Sequence, residues 1–325
     1  MQPLKNTKIL ITGGAGFIGS NMVEYFLKRD NYVKCMDNLS TGHEKNLDAF
    51  KQNKNFQFIN ADIRNLNACR KAVEDCQIVF HQAALGSVPR SINDPMTSNA
   101  VNIDGFLNML TAAKEFNIKR FIYAGSSSSY GDYDGLPKIE EMVGKPLSPY
   151  AITKTVNEYY ARVYSLLYGM ETIGLRYFNV FGKNQDPNSN YAAVIPAWIK
   201  KLISLERPII NGDGSYSRDF TYVGNVLQAN EKAAIVPSND IRKKSEEYYQ
   251  TFDTDIIFKP NIPEGVMDVF NVGCGANLNL LDLFSYLKNF LSNFNPAIAK
   301  IEPIFNHVRK GDVAHSNASI KKSKT

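Results

Sequence analysis

A chain of 325 residues is long enough for about two domains, and its 44% hydrophobic and 21% charged residues are typical of a globular protein. The net charge of +5 is mild and spread along the chain, which argues against nucleic-acid binding, and no apolar run reaches the roughly 18 residues that a membrane span requires. Without a signal-peptide pattern, paired cysteine spacings or clustered histidines, we expect a cytoplasmic protein with buried thiols and no metal site.

The first predicted element is a short apolar strand at residues 8–12, which runs directly into a glycine-rich turn and then a helical run. The turn reads Gly13, Gly14, Ala15, Gly16, Phe17, Ile18, Gly19. Strand, glycine turn and helix in this order predict a dinucleotide site. In such a site Gly13 permits the tight turn, Gly16 lets the backbone approach a pyrophosphate, and Gly19 allows close packing of helix on strand.

The second and third predicted strands each end next to an acidic residue. The second, at 32–36, is followed by Asp37, whose carboxylate can accept hydrogen bonds from the adenosine ribose and would repel a 2′-phosphate. This favours NAD over NADP. The third strand, at 56–60, is followed by Asp62 and Ile63, which we expect to meet the adenine.

Further apolar strands at 78–84, 120–124 and 172–177 alternate with helical runs near 67–75, 97–116 and 150–168. This rhythm predicts an α/β fold with a Rossmann-type parallel sheet and helices on both faces. Beyond residue 179 proline and glycine become frequent, which predicts a smaller C-terminal substrate-binding domain.

The predicted domain limits follow from these changes in pattern. Residues 1–179 form the NAD-binding domain, to which 222–236 and 268–272 return, while 180–221 and 273–325 form the substrate-binding domain. The charged, tyrosine-rich stretch 237–267 has no clean period. It predicts a surface insertion, with a functional lid as the alternative.

The candidate catalytic residues lie between the fifth and the sixth predicted strands. Tyr150 and Lys154 lie one helical turn apart if Pro149 begins a helix, and a nearby ammonium is expected to lower the pKa of the phenol. Taken alone, this spacing is common on ordinary helices, where the tyrosine ring packs against the protein and the lysine is solvated. The hydroxyls of Ser126 and Ser127, at the carboxyl end of the fifth strand, are placed to hydrogen-bond an alcohol while Tyr150 removes its proton.

Taken together, these motifs resemble the extended short-chain dehydrogenase/reductases over essentially the whole chain. The glycine turn, Asp37, Asp62, the serine cluster, the Tyr150 and Lys154 pair and residues 176–182 occur in that family's order. Residues 82–92, 147–154, 191–196, 211–220 and 309–316 are most similar to bacterial UDP-N-acetylglucosamine 4-epimerases of surface-polysaccharide synthesis.

The resemblance implies an NAD-dependent isomerase that epimerises a UDP-N-acetylhexosamine at C4 through a transient 4-keto sugar. Ser126, Tyr150 and Lys154 would be catalytic. The implied cofactor contacts are Gly13, Gly16, Phe17, Ile18, Gly19, Asp37, Asn38, Gly42, Asp62, Ile63, Gln82, Tyr150 and Lys154. The implied substrate contacts are Ser87, Arg90, Ser126, Ser127, Asn179, Val194, Asn211, Arg218, Arg309, Asp312 and Ser316. A homodimer formed by the helices near 97–116 and 150–168 is also implied.

Several alternatives stay open. Related dehydratases carry an Asp and a Glu where this chain has Ser127 and Ser128, so dehydration is disfavoured. Ser316 leaves room for an N-acetyl group where a tyrosine would crowd the sugar, and Arg90 keeps a 6-carboxylate substrate in view. UDP-N-acetylhexosaminuronic acid, UDP-glucose and a non-catalytic NAD-binding sensor are therefore alternatives. Because the chain ends at Thr325, earlier than the enzymes it resembles, we expect a shortened second domain.

Overall fold

The computed structural model describes residues 2–189, 191–252, 265–308 and 313–324. Its strands are Lys8–Thr12 (β1), Tyr32–Asp37 (β2), Phe56–Asn60 (β3), Ile78–His81 (β4), Arg120–Ser126 (β5), Glu171–Tyr177 (β6), Val180–Phe181 (β7), Ile209–Asn211 (β8), Ser217–Arg218 (β9), Thr221–Tyr222 (β10), Val266–Val272 (β11), Leu278–Asn279 (β12), Ile304–Asn306 (β13) and His315–Ser316 (β14). Its α-helices are Phe17–Leu27 (α1), Leu66–Val73 (α2), Val88–Asn93 (α3), Pro95–Asn99 (α4), Gly105–Glu115 (α5), Pro149–Tyr168 (α6), Val194–Ile203 (α7), Val223–Ile235 (α8), Ser238–Tyr249 (α9), Leu280–Ser292 (α10) and Lys321–Lys324 (α11). Shorter 3₁₀ segments cover Glu44–Phe50, Ser127–Tyr130 and Pro296–Lys300, and a π-helical turn covers Ala100–Asp104.

A seven-stranded parallel sheet organises the fold, in the order β11-β6-β5-β4-β1-β2-β3. One apolar layer packs α1 and α8 against the sheet, and a second packs α2, α5 and α6 against it. Near-continuous apolar strands are required because both faces are covered. The predicted Rossmann-type fold is confirmed. The strand order reverses between β1 and β4, so a crevice opens at their carboxyl ends, where such sheets bind ligands.

A smaller apolar cluster lies beyond the sheet. It joins α7 and α10 through Trp198, Leu202, Leu283 and Phe284. Short strands connect the same region: β13 pairs with β8, and β12 and β14 both pair with β9. These elements fall within the ranges predicted for a substrate-binding domain, and the exact domain limits remain a prediction.

The helical run predicted near 97–116 is interrupted. A π-helical turn at Ala100–Asp104 separates α4 from α5. It turns the buried Asn102 side chain toward two neighbours: its amide donates to Leu85 O at 3.2 Å and to Thr153 Oγ1 at 3.1 Å. Asn102 thereby ties the loop after β4 to the helix that carries Tyr150. Such π-helical turns are frequent at functional sites.

The stretch 237–267 differs from the predicted surface insertion. Its first part forms α9, which buries Ile241, Ser245 and Tyr249 against β11. Val266 and Met267 begin the seventh strand of the main sheet and are buried. The charged composition hid this role because only one residue per helical turn is buried, and one of these residues, Ser245, is polar. Residues 253–264 lie outside the described part of the chain.

The short helix α11 brings a lysine into a buried cluster. Lys322 Nζ donates to Glu141 Oε1 at 2.9 Å, to Asp268 Oδ1 at 2.5 Å and to Tyr249 Oη at 2.8 Å. The side chains of Lys322, Glu141 and Asp268 are each at most 3% exposed. The Lys322 cluster, made of these four residues, joins the last helix to β11, α9 and the loop before α6.

The cysteines depart from the prediction at one position. Cys35, Cys69 and Cys76 are buried, as expected, whereas Cys274 is exposed. Within the described residues no helix is long and apolar enough to cross a membrane, and no group of three metal-ligating side chains converges.

Candidate active site

The glycine turn lies at the carboxyl end of β1 and leads into α1. Gly13 adopts φ +68°, and a Cβ there would lie 2.7 Å from Ala83 N. A Cβ on Gly19 would lie 2.1 Å from Gly13 O. Side chains are therefore excluded at both positions. Gly16 is the N-cap of α1, with no side chain capping the helix, so the first N–H groups of α1 are free to bind an anion.

Asp37 ends β2 and faces the glycine turn. Its carboxylate accepts hydrogen bonds from Ala15 N at 3.0 Å and Leu39 N at 2.8 Å. Burial raises the pKa of Asp37, and these two backbone donors oppose the rise. Nearby, Asn38 donates to Asp62 Oδ2 at 2.8 Å, which links the ends of β2 and β3. The two strand ends therefore form one polar edge.

The glycine turn and this edge border a cavity of about 720 Å³. Most of the predicted site residues line it: Gly13, Gly16, Phe17, Ile18, Gly19, Asp37, Asn38, Asp62, Ile63, Gln82, Ser87, Arg90, Ser126, Ser127, Tyr150, Lys154 and Asn179. Gly42 does not line the cavity. It packs beneath the glycine turn, where a Cβ would lie 2.8 Å from Ala15 C.

Tyr150 and Lys154 project into this cavity from the first turns of α6. Ser148 caps the helix, since its side chain accepts from Ala151 N, and Pro149 occupies the first helical position. Lys154 is buried and donates to Ala124 O at 2.8 Å, while its Nζ lies 5.9 Å from the centre of the Tyr150 ring. The sheet backbone thus fixes the ammonium beside the phenol.

The protonation properties of the pair differ from the prediction. Burial raises the pKa of Tyr150, and a hydrogen bond with Ser126 opposes that rise. Burial lowers the pKa of Lys154 to about 8, while the negative charge of Glu158 opposes the fall. The expected lowering of the phenol pKa by Lys154 is therefore not found. Burial outweighs the ammonium, whose hydrogen bond goes to the Ala124 carbonyl.

Ser126 is the last residue of β5, and the serine cluster after it is ordered. The Ser126 side chain accepts from Ser128 N at 3.1 Å and begins the 3₁₀ turn Ser127–Tyr130. Tyr130 is buried and donates to Asn271 Oδ1 at 2.6 Å. The cluster is thus a capped turn that directs hydroxyls into the cavity.

Sequence reasoning missed some of the residues that shape the cavity. Tyr177, at the end of β6, donates to Gln82 Oε1 at 3.1 Å, and burial raises its pKa to about 12. It thereby holds the Gln82 amide at the end of β4. At the rim, His43 Nε2 and Asp186 Oδ2 lie 3.0 Å apart. Tyr177 could have been found from its place at a strand end, whereas the pairing of His43 with Asp186, 143 residues away, left no local signal.

A second pocket of about 290 Å³ adjoins the first and contains Asn179, Val194, Asn211 and Arg218 from the predicted substrate set. The two pockets form one groove, because the same residues line both of them: Asn179, Val180, Gln185, Ala192 and Ala193. Arg218 Nη1 donates to Ser217 O at 2.8 Å and to Ala314 O at 3.0 Å. Asn179 adopts φ +24°, an unusual value for a non-glycine residue and one typical of functional sites.

Ser316 lines neither pocket. It pairs with Arg218 across β14 and β9, which places it beside the second pocket. Arg309 and Asp312, also predicted to bind substrate, lie outside the described residues.

The residues present fit an NAD molecule. The uncapped start of α1 suits the pyrophosphate of NAD. The glycines of the turn let its backbone adopt a tight conformation that a Cβ at Gly13 or Gly19 would prevent. A carboxylate at the end of β2 suits the adenosine ribose and disfavours a 2′-phosphate.

Comparison with known proteins agrees with this geometry. The model of the NAD-dependent epimerase/dehydratase family matches residues 9–244. A putative UDP-glucose 4-epimerase of Methanocaldococcus jannaschii is 34% identical over 319 residues, which cover 98% of this chain and 91% of that protein.

Solved structures are similar over the whole chain. A UDP-N-acetylglucosamine 4-epimerase from Methanobrevibacter ruminantium M1, in complex with UDP-N-acetylmuramic acid, superposes with a TM-score of 0.83 at 36% identity, covering 99% of this chain and 92% of that one. A UDP-glucuronic acid 4-epimerase from Bacillus cereus, in complex with UDP-glucuronic acid and NAD, gives a TM-score of 0.78 at 27% identity, covering 98% and 91%.

Proposed function

The chain belongs to the NAD-dependent epimerase/dehydratase family, and from that premise we propose that it is a UDP-N-acetylglucosamine 4-epimerase that interconverts UDP-GlcNAc and UDP-GalNAc for surface-polysaccharide synthesis. The observation that carries this proposal is the groove itself. Ser126, Tyr150 and Lys154 face a cavity with a dinucleotide turn, and the cavity continues into a pocket suited to a nucleotide.

Proton transfer is the task of Tyr150. Its phenolate oxygen accepts the proton of the sugar's 4-hydroxyl as C4 becomes a ketone, and returns it after the new C4–H bond has formed. Ser126 orients the reacting oxygen by a hydrogen bond. Lys154, fixed by its hydrogen bond to Ala124 O, would hold the nicotinamide ribose of bound NAD beside Tyr150. Bound NAD supplies the reversible hydride acceptor that this chemistry needs.

The second pocket explains how the sugar can turn without being lost. With the UDP portion held near Asn179, Asn211 and Arg218, the 4-keto sugar can rotate in the larger cavity and present its other face. Arg218 can form charge-assisted hydrogen bonds to diphosphate oxygens. Ser127 and Ser128 offer no carboxylate for elimination, which favours epimerisation over dehydration.

We also propose a homodimer formed through α6. Its residues Ile152, Tyr159, Val163 and Leu166 lie on one helical face and are each 44–49% exposed. An apolar stripe of this length on one helix is typical of a helix-to-helix interface. A cytoplasmic location stays a prediction from the sequence.

The decisive test is turnover by purified protein without added cofactor. We expect UDP-GlcNAc to yield UDP-GalNAc, seen by proton NMR as an equatorial H4 replacing an axial one. The Tyr150→Phe variant should lose about 10²–10⁴-fold in rate while keeping its NAD, measured in the supernatant after denaturation. Tyr286→Phe, a change at a 66% exposed position outside both pockets, is the matched control. Protein that retains NAD and leaves every UDP-sugar unchanged would support the NAD-binding sensor instead.

A further inference from the structure

Arg90 is a cation that lines the main cavity. It lies on α3 and is partly buried. Its guanidinium carbon lies 4.9 Å from the centre of the Tyr191 ring, within the distance of a cation–π contact. In the described part of the chain, no carboxylate forms an ion pair with the Arg90 guanidinium.

The acidic groups of the cavity have other partners. Asp62 is paired with Arg64 at 2.7 Å, and Asp186 with His43 at 3.0 Å. Asp37 accepts from two backbone N–H groups. An arginine left without such a partner in a groove that binds anionic ligands is available to the ligand.

The position of Arg90 indicates that it contacts the sugar of the ligand and not its diphosphate. The next residue, Ser91, accepts a hydrogen bond at 3.0 Å from the backbone N–H of Tyr150, and α3 packs on α6. The helix that carries Arg90 is therefore held against the start of α6, where Tyr150 lies, and Arg90 lines the same cavity as Tyr150. Arg218, the candidate for the diphosphate, lines the second pocket instead.

Resting on the proposed function, we propose that Arg90 and Tyr191 form a subsite for a carboxylate carried by the hexose of the UDP-sugar. The planar guanidinium binds the carboxylate through two parallel hydrogen bonds, while the ring of Tyr191 holds its plane in place. The enzyme then accepts acidic N-acetylhexosamines in addition to neutral ones, and Arg90 sets the preference.

The test compares three substrates: UDP-GlcNAc, UDP-N-acetylglucosaminuronic acid, with its carboxylate at C6, and UDP-N-acetylmuramic acid, with its carboxylate on the 3-oxygen substituent. The readout is the ratio of kcat/KM for each acid to that for UDP-GlcNAc. In Arg90→Gln we expect this ratio to fall about 10–100-fold for the acid that reaches Arg90, the range of a charge-assisted hydrogen bond. Arg90→Lys should recover only part, because an ammonium cannot form the two parallel bonds.

Arg70→Gln is the control, since it removes an equal charge at an exposed surface pair with Glu115. An equal fall for acidic and neutral substrates would assign Arg90 to the nucleotide or cofactor and overturn the proposal, as would an enzyme that converts UDP-GlcNAc and neither acid. If no UDP-sugar is converted, the proposed function fails, and calorimetric binding of the same three compounds to the wild type and Arg90→Gln still decides the subsite. Equal binding losses for all three would then reject it.

Discussion

Replacing Lys322 with methionine tests whether the end of the chain is part of the folded core. Methionine keeps the unbranched side chain up to the position of Lys Cε but removes the ammonium that contacts Glu141 and Asp268. Both carboxylates would then be buried without a cation, and Asp268 would keep only hydroxyl and backbone donors.

The magnitude follows from the burial. Removing one partner of a buried ion pair costs about 3–5 kcal/mol, because the remaining charge stays desolvated. With an unfolding entropy near 2.1 cal/mol/K per residue, a chain of this length loses roughly 1.5 °C in Tm per kcal/mol, so the expected fall is about 4–7 °C.

Thermal unfolding followed by circular dichroism at a fixed heating rate measures this fall. Lys324→Met, an exposed change in the same helix, is the control and should shift Tm by less than about 1 °C. The variant with Lys322→Met, Glu141→Gln and Asp268→Asn together should regain part of the loss, because no uncompensated charge remains. A Lys322→Met protein as stable as the control would refute the role given to the Lys322 cluster.

Two further changes probe pH dependence and assembly. Burial raises the pKa of Glu140 to about 7 from a usual 4.5, so the folded state holds a proton that the unfolded state releases, and stability falls as pH rises from about 4.5 to 7. Glu140→Gln should stabilise the protein at pH 8 by up to about 3 kcal/mol, which raises Tm and flattens the profile of Tm against pH. The exposed variant Glu74→Gln is the control. A Glu140→Gln profile that matches the control would contradict the assignment. Val163→Glu should convert the proposed dimer into a 36.4 kDa monomer by light scattering, and a monomeric wild type at micromolar concentration would rule out the dimer.

The sequence predicted the elements whose signals are local. The first strand and its glycine turn were predictable because φ above zero and close backbone contacts leave few residues possible at Gly13. The start of α6 was predictable from Ser148 and Pro149, which cap it. The convergence of Ser126 with Tyr150 followed from their places at one edge of a parallel sheet.

Features that depend on distant contacts were not predictable. The π-turn at Ala100–Asp104 exists because Asn102 bonds the loop after β4 and α6, which no local pattern reveals. The pKa of Tyr150 was misjudged because burial, a property of the whole fold, outweighs the spacing to Lys154. The role of α9 was missed because its buried face is formed by a single residue per turn.

The separation of Asp268 from Lys322 has a consequence for synthesis of the chain on the ribosome. The two residues are 54 positions apart, which at 5–20 residues per second corresponds to roughly 3–11 s of translation. During this interval β11 has been made but its buried carboxylate has no cation. Before α11 is made, Asp268 lacks its cation, so we expect β11 to dock less stably on the nascent sheet, and translation speed over codons 269–322 to affect how the enzyme is assembled.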